Sequence, residues 1–246
     1  MRPFLRLLPA ALLITGACAS AGAPPQPRAE PGAKELPLDV HWVRNSAEYR
    51  ALTMQIYRAA SDRVRALADT LERGGWAVIL DADETVLDNS EYQRRITLAG
   101  QSFSNDTWNA WVREAAAPPT PGATGFIALV RSLGGRIAIV TNRDEEVCPP
   151  TRRNLERLGI VVDVVLCRQP GPSDKNPRFA AVREGSASAD LPPLRVVLWV
   201  GDNIQDFPGL TQELRNAPED AFAEFGRTWF VIPNPMYGSF ESNPHR

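Results

Sequence analysis

Five short runs of the chain are apolar at nearly every position: WAVIL (76–80), RIAIV (136–140), VVDVVL (161–166), RVVLWV (195–200) and TWFVI (228–232). Runs this short, rich in β-branched residues and without polar alternation, predict strands covered on both faces. Between them the apolar positions recur at helical spacing. Asn45 and Glu48 form a capping-box pair opening a helix that should run to about Arg73, where Gly74 and Gly75 stop it. Thr120 is the expected N-cap, and Pro121 the first-turn residue, of a helix through TPGATGFIALVRSLGG. A further helix is expected through TRRNLERLG, and a short one from residue 174. Residues 89–120 are polar and aromatic, lack strand alternation, and read as a small helical cap inserted into the domain. Apolar strands alternating with helices predict an α/β fold: a Rossmann-like parallel sheet with helices on both faces. In such sheets ligands gather at the carboxyl ends of the strands.

The strand ends carry the candidate chemistry. DADET (81–85) follows the first run, TNRD (141–144) the second and GDNIQD (201–206) the fourth, while SDKNPR after the third run contains Lys175. Asp81, Asp83, Asp202, Asp206, Thr141, Asn142 and Lys175 would then share one rim. Carboxylates leaving a hydrophobic strand side by side repel one another and lose hydration, so a positive partner is required. Oxygen ligands of this kind suit a hard octahedral cation, Mg²⁺. A calcium loop does not fit, because Val86 stands where that loop needs glycine and Tyr92 where it needs glutamate. Lys175 is the only lysine after Lys34. Arg143 reads as a surface charge, and Arg178 has no motif role.

Composition narrows the alternatives. A formal net charge of −2 gives no electrostatic case for nucleic-acid binding. The histidines, His41 and His245, stand near opposite ends of the sequence, which argues against phosphohistidine chemistry and histidine-rich zinc sites. Arg2 and Arg6 precede an apolar run and small residues up to Cys18, the pattern of a secretory signal over residues 1–17. The small, proline-rich stretch over 18–37 reads as a flexible tether, leaving 38–246 as the folded domain. Cys148 and Cys167 are free to pair in an exported protein, and the sequence leaves that open.

Two resemblances extend this reading. The ITGAC segment resembles a bacterial lipoprotein box, which implies lipidation of Cys18 and attachment to the outer membrane; the alternative is a periplasmic or secreted protein cleaved beyond Cys18. The four strand-end motifs resemble those of the haloacid-dehalogenase superfamily. DADETVLDNSEY, VTNR with TRRNLERLG, GDNIQDF and IPNPMYGSFE are similar, in order, to the bacterial class C acid phosphatases, the lipoprotein 5′-nucleotidase group. That resemblance implies a Mg²⁺-dependent acid phosphomonoesterase acting on 5′-nucleotides and other monoesters. It makes Asp81 the nucleophile and Asp83 the acid and base. Asp81, the Asp83 carbonyl, Asp202 and Asp206 would serve the metal, and Thr141, Asn142 and Lys175 the phosphoryl group. Tyr92, Trp108, Trp111 and Tyr237 are the candidate contacts for a nucleobase, against the alternative of core packing. A non-catalytic binding lipoprotein on the same scaffold and a phosphotransferase are the rival functions.

Overall fold

The computed structural model describes residues 35–245. The expected signal over 1–17, Cys18 and all but the last three residues of the tether lie outside the described residues. From Glu35 onward the chain forms one unit.

Two helices precede the sheet, α1 (Leu38–Asn45) and α2 (Ala47–Ala68). The cap of α2 is Ser46, whose side chain accepts from Tyr49 N at 3.0 Å, and not Asn45, which closes α1. The helix also stops five residues short of Arg73. Thr70 Oγ1 donates back to the Leu67 carbonyl at 2.8 Å, so a side chain takes the acceptor that the next helical turn would have used.

Strand β1 (Trp76–Leu80) leads to α3 (Ser90–Ala99), α4 (Asn105–Glu114) and α5 (Ala123–Ser132). The N-cap of α5 is Gly122, not Thr120. Gly122 sits at φ 94°, and a Cβ there would come within 3.0 Å of the Tyr57 ring, so packing on α2 delays the helix start. Then follow β2 (Arg136–Asp144), α6 (Cys148–Arg157), β3 (Val164–Arg168), α7 (Asn176–Glu184), β4 (Arg195–Gly201) and β5 (Trp229–Val231). β3 begins three residues later than its apolar run. Asp163 accepts from Ile137 N at 2.8 Å and from Arg131 and Arg136, so its carboxylate occupies the place of a ladder partner.

All strand pairs are parallel, in the order β3-β2-β1-β4-β5. Alternate residues serve opposite faces, as a pleat demands. Val78, Leu80, Ile137 and Ile139 join Tyr57, Phe126 and Leu155 in one core cluster, while Ala77, Ile79, Ala138 and Val140 join Phe179 and Val182 in the other. Helices α2, α5 and α6 thus cover one face and α7 the other. The chain turns from one half of the sheet to the other between β1 and β4, which places the crevice for a ligand at the ends of those two strands. Cys148 and Cys167 are disulfide-bonded, with Cα atoms 5.9 Å apart, and tie the start of α6 to β3.

Candidate active site

The turn after β1 bends sharply. Asp81 continues the ladder through its N–H to the Val200 carbonyl at 3.0 Å, and Glu84 then takes φ 52°. The left-handed residue is held from both sides: its N–H donates to the Leu87 carbonyl, and its carboxyl accepts from Asn89 N at 2.8 Å. At the end of β4, Gly201 allows a second tight return. A Cβ at Gly201 would fall 2.2 Å from the Asp206 Cβ, so only glycine lets Asp206 fold back beneath the strand. Asp206 then accepts from Asn203 N at 2.9 Å, fixing its second oxygen.

These two turns bring three carboxylates together. Asp81, Asp202 and Asp206 each place an oxygen within 4.8 Å of the others. Lys175, at the start of α7, reaches across from the far side: its Nζ lies 2.5 Å from Asp81 Oδ1 and 2.6 Å from Asp206 Oδ1. One ammonium against three carboxylates leaves two negative charges uncompensated. Burial first, and the imbalance after it, show in the titration of the group. Burial pushes the Asp81 carboxyl up to about 7, with Lys175 opposing and Asp206 and Asp83 adding to the rise. Asp202 is pushed well above the carboxylate range by desolvation in the cleft, then by Asp206 and Asp81. Burial disfavours the charge on Lys175, but Asp206 and Asp81 outweigh it and hold the ammonium above its usual value. Further donors steady Asp202: Thr85 Oγ1 at 3.2 Å and Asn234 Nδ2 at 2.9 Å, the latter from the segment after β5. A divalent cation fits this set, since every ligand offered is oxygen and the missing charge is positive.

The Asp83 carboxylate is not part of the triad. It turns toward Arg143, which reaches it at 2.7 Å, and Asn89. Arg143 is therefore not the surface charge expected from the sequence: it is 2% exposed and bound on several sides. Thr141 is buried at the end of the apolar part of β2, and Asn142 beside it is exposed. Above this floor opens a cavity of about 510 Å³, lined among others by Asp83, Asn142, Arg143, Phe103, Trp108 and Tyr237.

Residues 28–240 match the family model described as HAD superfamily, subfamily IIIB (Acid phosphatase). The chain belongs to this family. The phosphatase is similar to the class C acid phosphatase from Bacillus anthracis, at 30% identity over 83% of this chain and 85% of that one, with a TM-score of 0.75. A structure of the class C acid phosphatase from Bacillus anthracis with tungstate bound matches at 29% identity, over the same shares of both chains, with a TM-score of 0.74. The chain is thus a phosphomonoesterase of the haloacid-dehalogenase type.

Two of the four aromatic candidates do not face the phosphatase cavity. Tyr92 is 2% exposed, packs edge-on against Trp108 at 5.0 Å and bonds Thr107 through its hydroxyl. Trp111 is 4% exposed and donates its Nε1–H to Asn89 Oδ1 at 2.8 Å. Trp108 and Trp111 stand three apart on α4, but burial of the helix against the core takes Trp111 inward and leaves Trp108 at the cavity. Several further partners of the site stand inside the motifs themselves: Arg143 in TNRD, Asn89 in DADETVLDNSEY, Arg178 in SDKNPR and Asn234 in IPNPMYGSFE. Position could have flagged all four, but only the fold shows which side chains each of them meets.

Proposed function

We propose that the phosphatase is a Mg²⁺-dependent enzyme that hydrolyses nucleoside 5′-monophosphates and related phosphate monoesters through an aspartyl-phosphate on Asp81. The observation that carries this reading is the Lys175 ammonium held between Asp81 and Asp206 beside Asp202, under an aromatic-lined cavity. The Asp81, Asp202 and Asp206 carboxylates, with the Asp83 carbonyl, would hold the metal. Bound there, Mg²⁺ supplies positive charge against the phosphoryl oxygens and lowers the repulsion that a carboxylate meets on approaching a dianion.

The chain's own groups perform the rest. An Asp81 oxygen bonds phosphorus while the bond from phosphorus to the leaving oxygen breaks, and Asp83 gives that oxygen its proton. Water then bonds phosphorus, its proton passes to Asp83, the bond to Asp81 breaks, and inorganic phosphate leaves. Thr141 and Asn142 would donate to phosphoryl oxygens, and Lys175 would offset their charge. Binding of tungstate, a tetrahedral oxyanion, by the similar Bacillus anthracis enzyme supports a phosphoryl site of this kind. Trp108 and Tyr237 line the cavity from opposite segments of the chain and offer flat apolar faces for a nucleobase. The leader pattern and Cys18 support an exported protein attached to the outer membrane through a lipid.

The test is hydrolysis of nucleoside 5′-monophosphates and nitrophenyl phosphate with and without EDTA, followed by Mg²⁺ readdition, in wild type and Asp81→Asn. Activity that needs Mg²⁺ and Asp81, with a phosphoryl-enzyme trapped on Asp81 by borohydride, is the expected result. Full activity in EDTA, or in Asp81→Asn, overturns the reading.

A further inference from the structure

The mechanism above uses Asp83 but leaves Arg143 and Asn89 without a task. Every hydrogen bond that reaches the Asp83 carboxylate ends on the same atom. Oδ1 accepts from Arg143 Nε at 2.9 Å, from Arg143 Nη2 at 2.7 Å and from Asn89 Nδ2 at 2.9 Å. Among the described residues no donor lies on Oδ2. A carboxylate oxygen has two lone pairs, so three donors, two of them from a cation, leave Oδ1 no capacity to carry a proton.

The donors are themselves locked. Arg143 Nη1 donates to Thr151 Oγ1 at 3.1 Å, and that hydroxyl donates on to the Val147 carbonyl at 2.9 Å. Arg143 Nη2 also reaches Asn89 Oδ1 at 3.2 Å, and the Trp108 ring lies 5.6 Å from the guanidinium carbon. Asn89 cannot flip. Trp111 Nε1 and Arg143 are donors only, so the Asn89 oxygen must face them and its amide nitrogen must face Asp83. With four of its five N–H groups engaged inside this cluster, Arg143 is poorly placed to act as the main phosphoryl ligand.

We infer that Arg143 and Asn89 are positioning residues: by saturating Oδ1 of Asp83, they assign Oδ2 as the atom that passes the proton to the leaving group and later takes one from water. This inference rests on the reading of Asp83 as acid and base. The step is the one balanced above: the proton leaves Oδ2 as the phosphorus–oxygen bond to the leaving group breaks, and returns to it from the water whose oxygen bonds phosphorus.

The experiment compares an ester whose leaving group needs no proton, 2,4-dinitrophenyl phosphate, with one that does, glycerol 2-phosphate, under Mg²⁺ and with the full chain. Wild type, Asp83→Asn, Arg143→Gln and Thr151→Val are measured on both, together with the competitive inhibition constant of inorganic phosphate. Loss of a positioned general acid should lower kcat/KM, which reports only the first half-reaction, for the glycerol ester by about 100-fold in Arg143→Gln but for the dinitrophenyl ester by less than about threefold. The phosphate inhibition constant should stay near wild type, while kcat on the dinitrophenyl ester falls with the loss of the base in the second half-reaction. Thr151→Val removes one anchor at nearly constant shape, and should show the same selectivity at about threefold, so the inference is testable even where Arg143→Gln does not fold. Equal losses on both esters in the Arg143 and Thr151 variants, or a rise in the phosphate inhibition constant that matches the loss, overturns the positioning role while Asp83→Asn remains selective. Equal losses of kcat/KM on both esters in Asp83→Asn itself overturn the acid–base reading on which the inference stands.

Discussion

Arg178 donates to Asn142 Oδ1 at 2.6 Å. A guanidinium has no acceptor, so Asn142 must turn its oxygen to Arg178, which leaves its amide nitrogen free to donate to the phosphoryl group in the proposed reaction. The same side chain bonds the Thr141 carbonyl and the carbonyls of Ser173 and Asp174. It thereby clamps the loop bearing Thr141 and Asn142 to the loop bearing Lys175. The sequence offered no role for Arg178, and the structure corrects that.

Arg178→Lys should lower kcat/KM by about tenfold, or ~1.4 kcal/mol, mainly through KM, because one ammonium cannot hold four oxygens in a fork. Steady-state kinetics on nitrophenyl phosphate would show it. A variant within twofold of wild type would reduce Arg178 to a surface contact.

Lys175→Arg preserves charge but should also lower kcat/KM by at least about tenfold. The ammonium is 4% exposed and fits between two oxygens at 2.5 and 2.6 Å, a slot too narrow for a planar guanidinium. Here the loss should fall on kcat, because the displaced partner is Asp81, the nucleophile proposed above. Unchanged kinetics would mean that only the charge matters.

Stability should depend on pH in the metal-free protein. The Asp81 carboxyl holds its proton up to about 7 in the folded chain, against about 3.9 when unfolded. A carboxyl raised in this way contributes stability below its unfolded value, and loses it as pH rises through the folded one. Asp202, raised for the same reason, acts in the same direction. In EDTA this site should therefore lower Tm as pH rises from about 4 to 8, and Mg²⁺ should restore Tm most at the upper end. Asp81→Asn should flatten the slope. Thermal scans of both proteins across that range decide it, and identical slopes would refute the assignment.

The Cys148–Cys167 bond closes a loop with a sequence separation of 19. Replacing both cysteines with serine should cost about 3 kcal/mol of unfolding free energy, through the greater freedom of the unfolded chain. Urea denaturation of the double variant tests this. A loss below about 1 kcal/mol would show that the unfolded chain gains little freedom when the link is removed.

Much of this molecule was readable before any fold was known. The five apolar runs lie in a single parallel sheet, because a segment with no polar side has nowhere to sit but between two layers of helices. The strand-end motifs likewise marked Asp81, Asp202, Asp206 and Lys175, since ligands of such sheets meet at those ends whatever the intervening chain does. The helix start at Gly122 and the late start of β3 were set by contacts distant in sequence: Tyr57 against Gly122, and Asp163 against Arg131 and Arg136. The same holds for the aromatic side chains. Spacing put Trp108 and Trp111 on one helix face, but the packing of that face sent Trp111 to Asn89 and left Trp108 at the cavity. What the sequence determined was local and periodic, the pattern of burial along each element and the chemistry at each strand end. Only tertiary structure could decide that Arg143 turns inward to Asp83 and that Arg178 spans two loops, because a charged side chain is buried only where partners from elsewhere in the chain offset the loss of water.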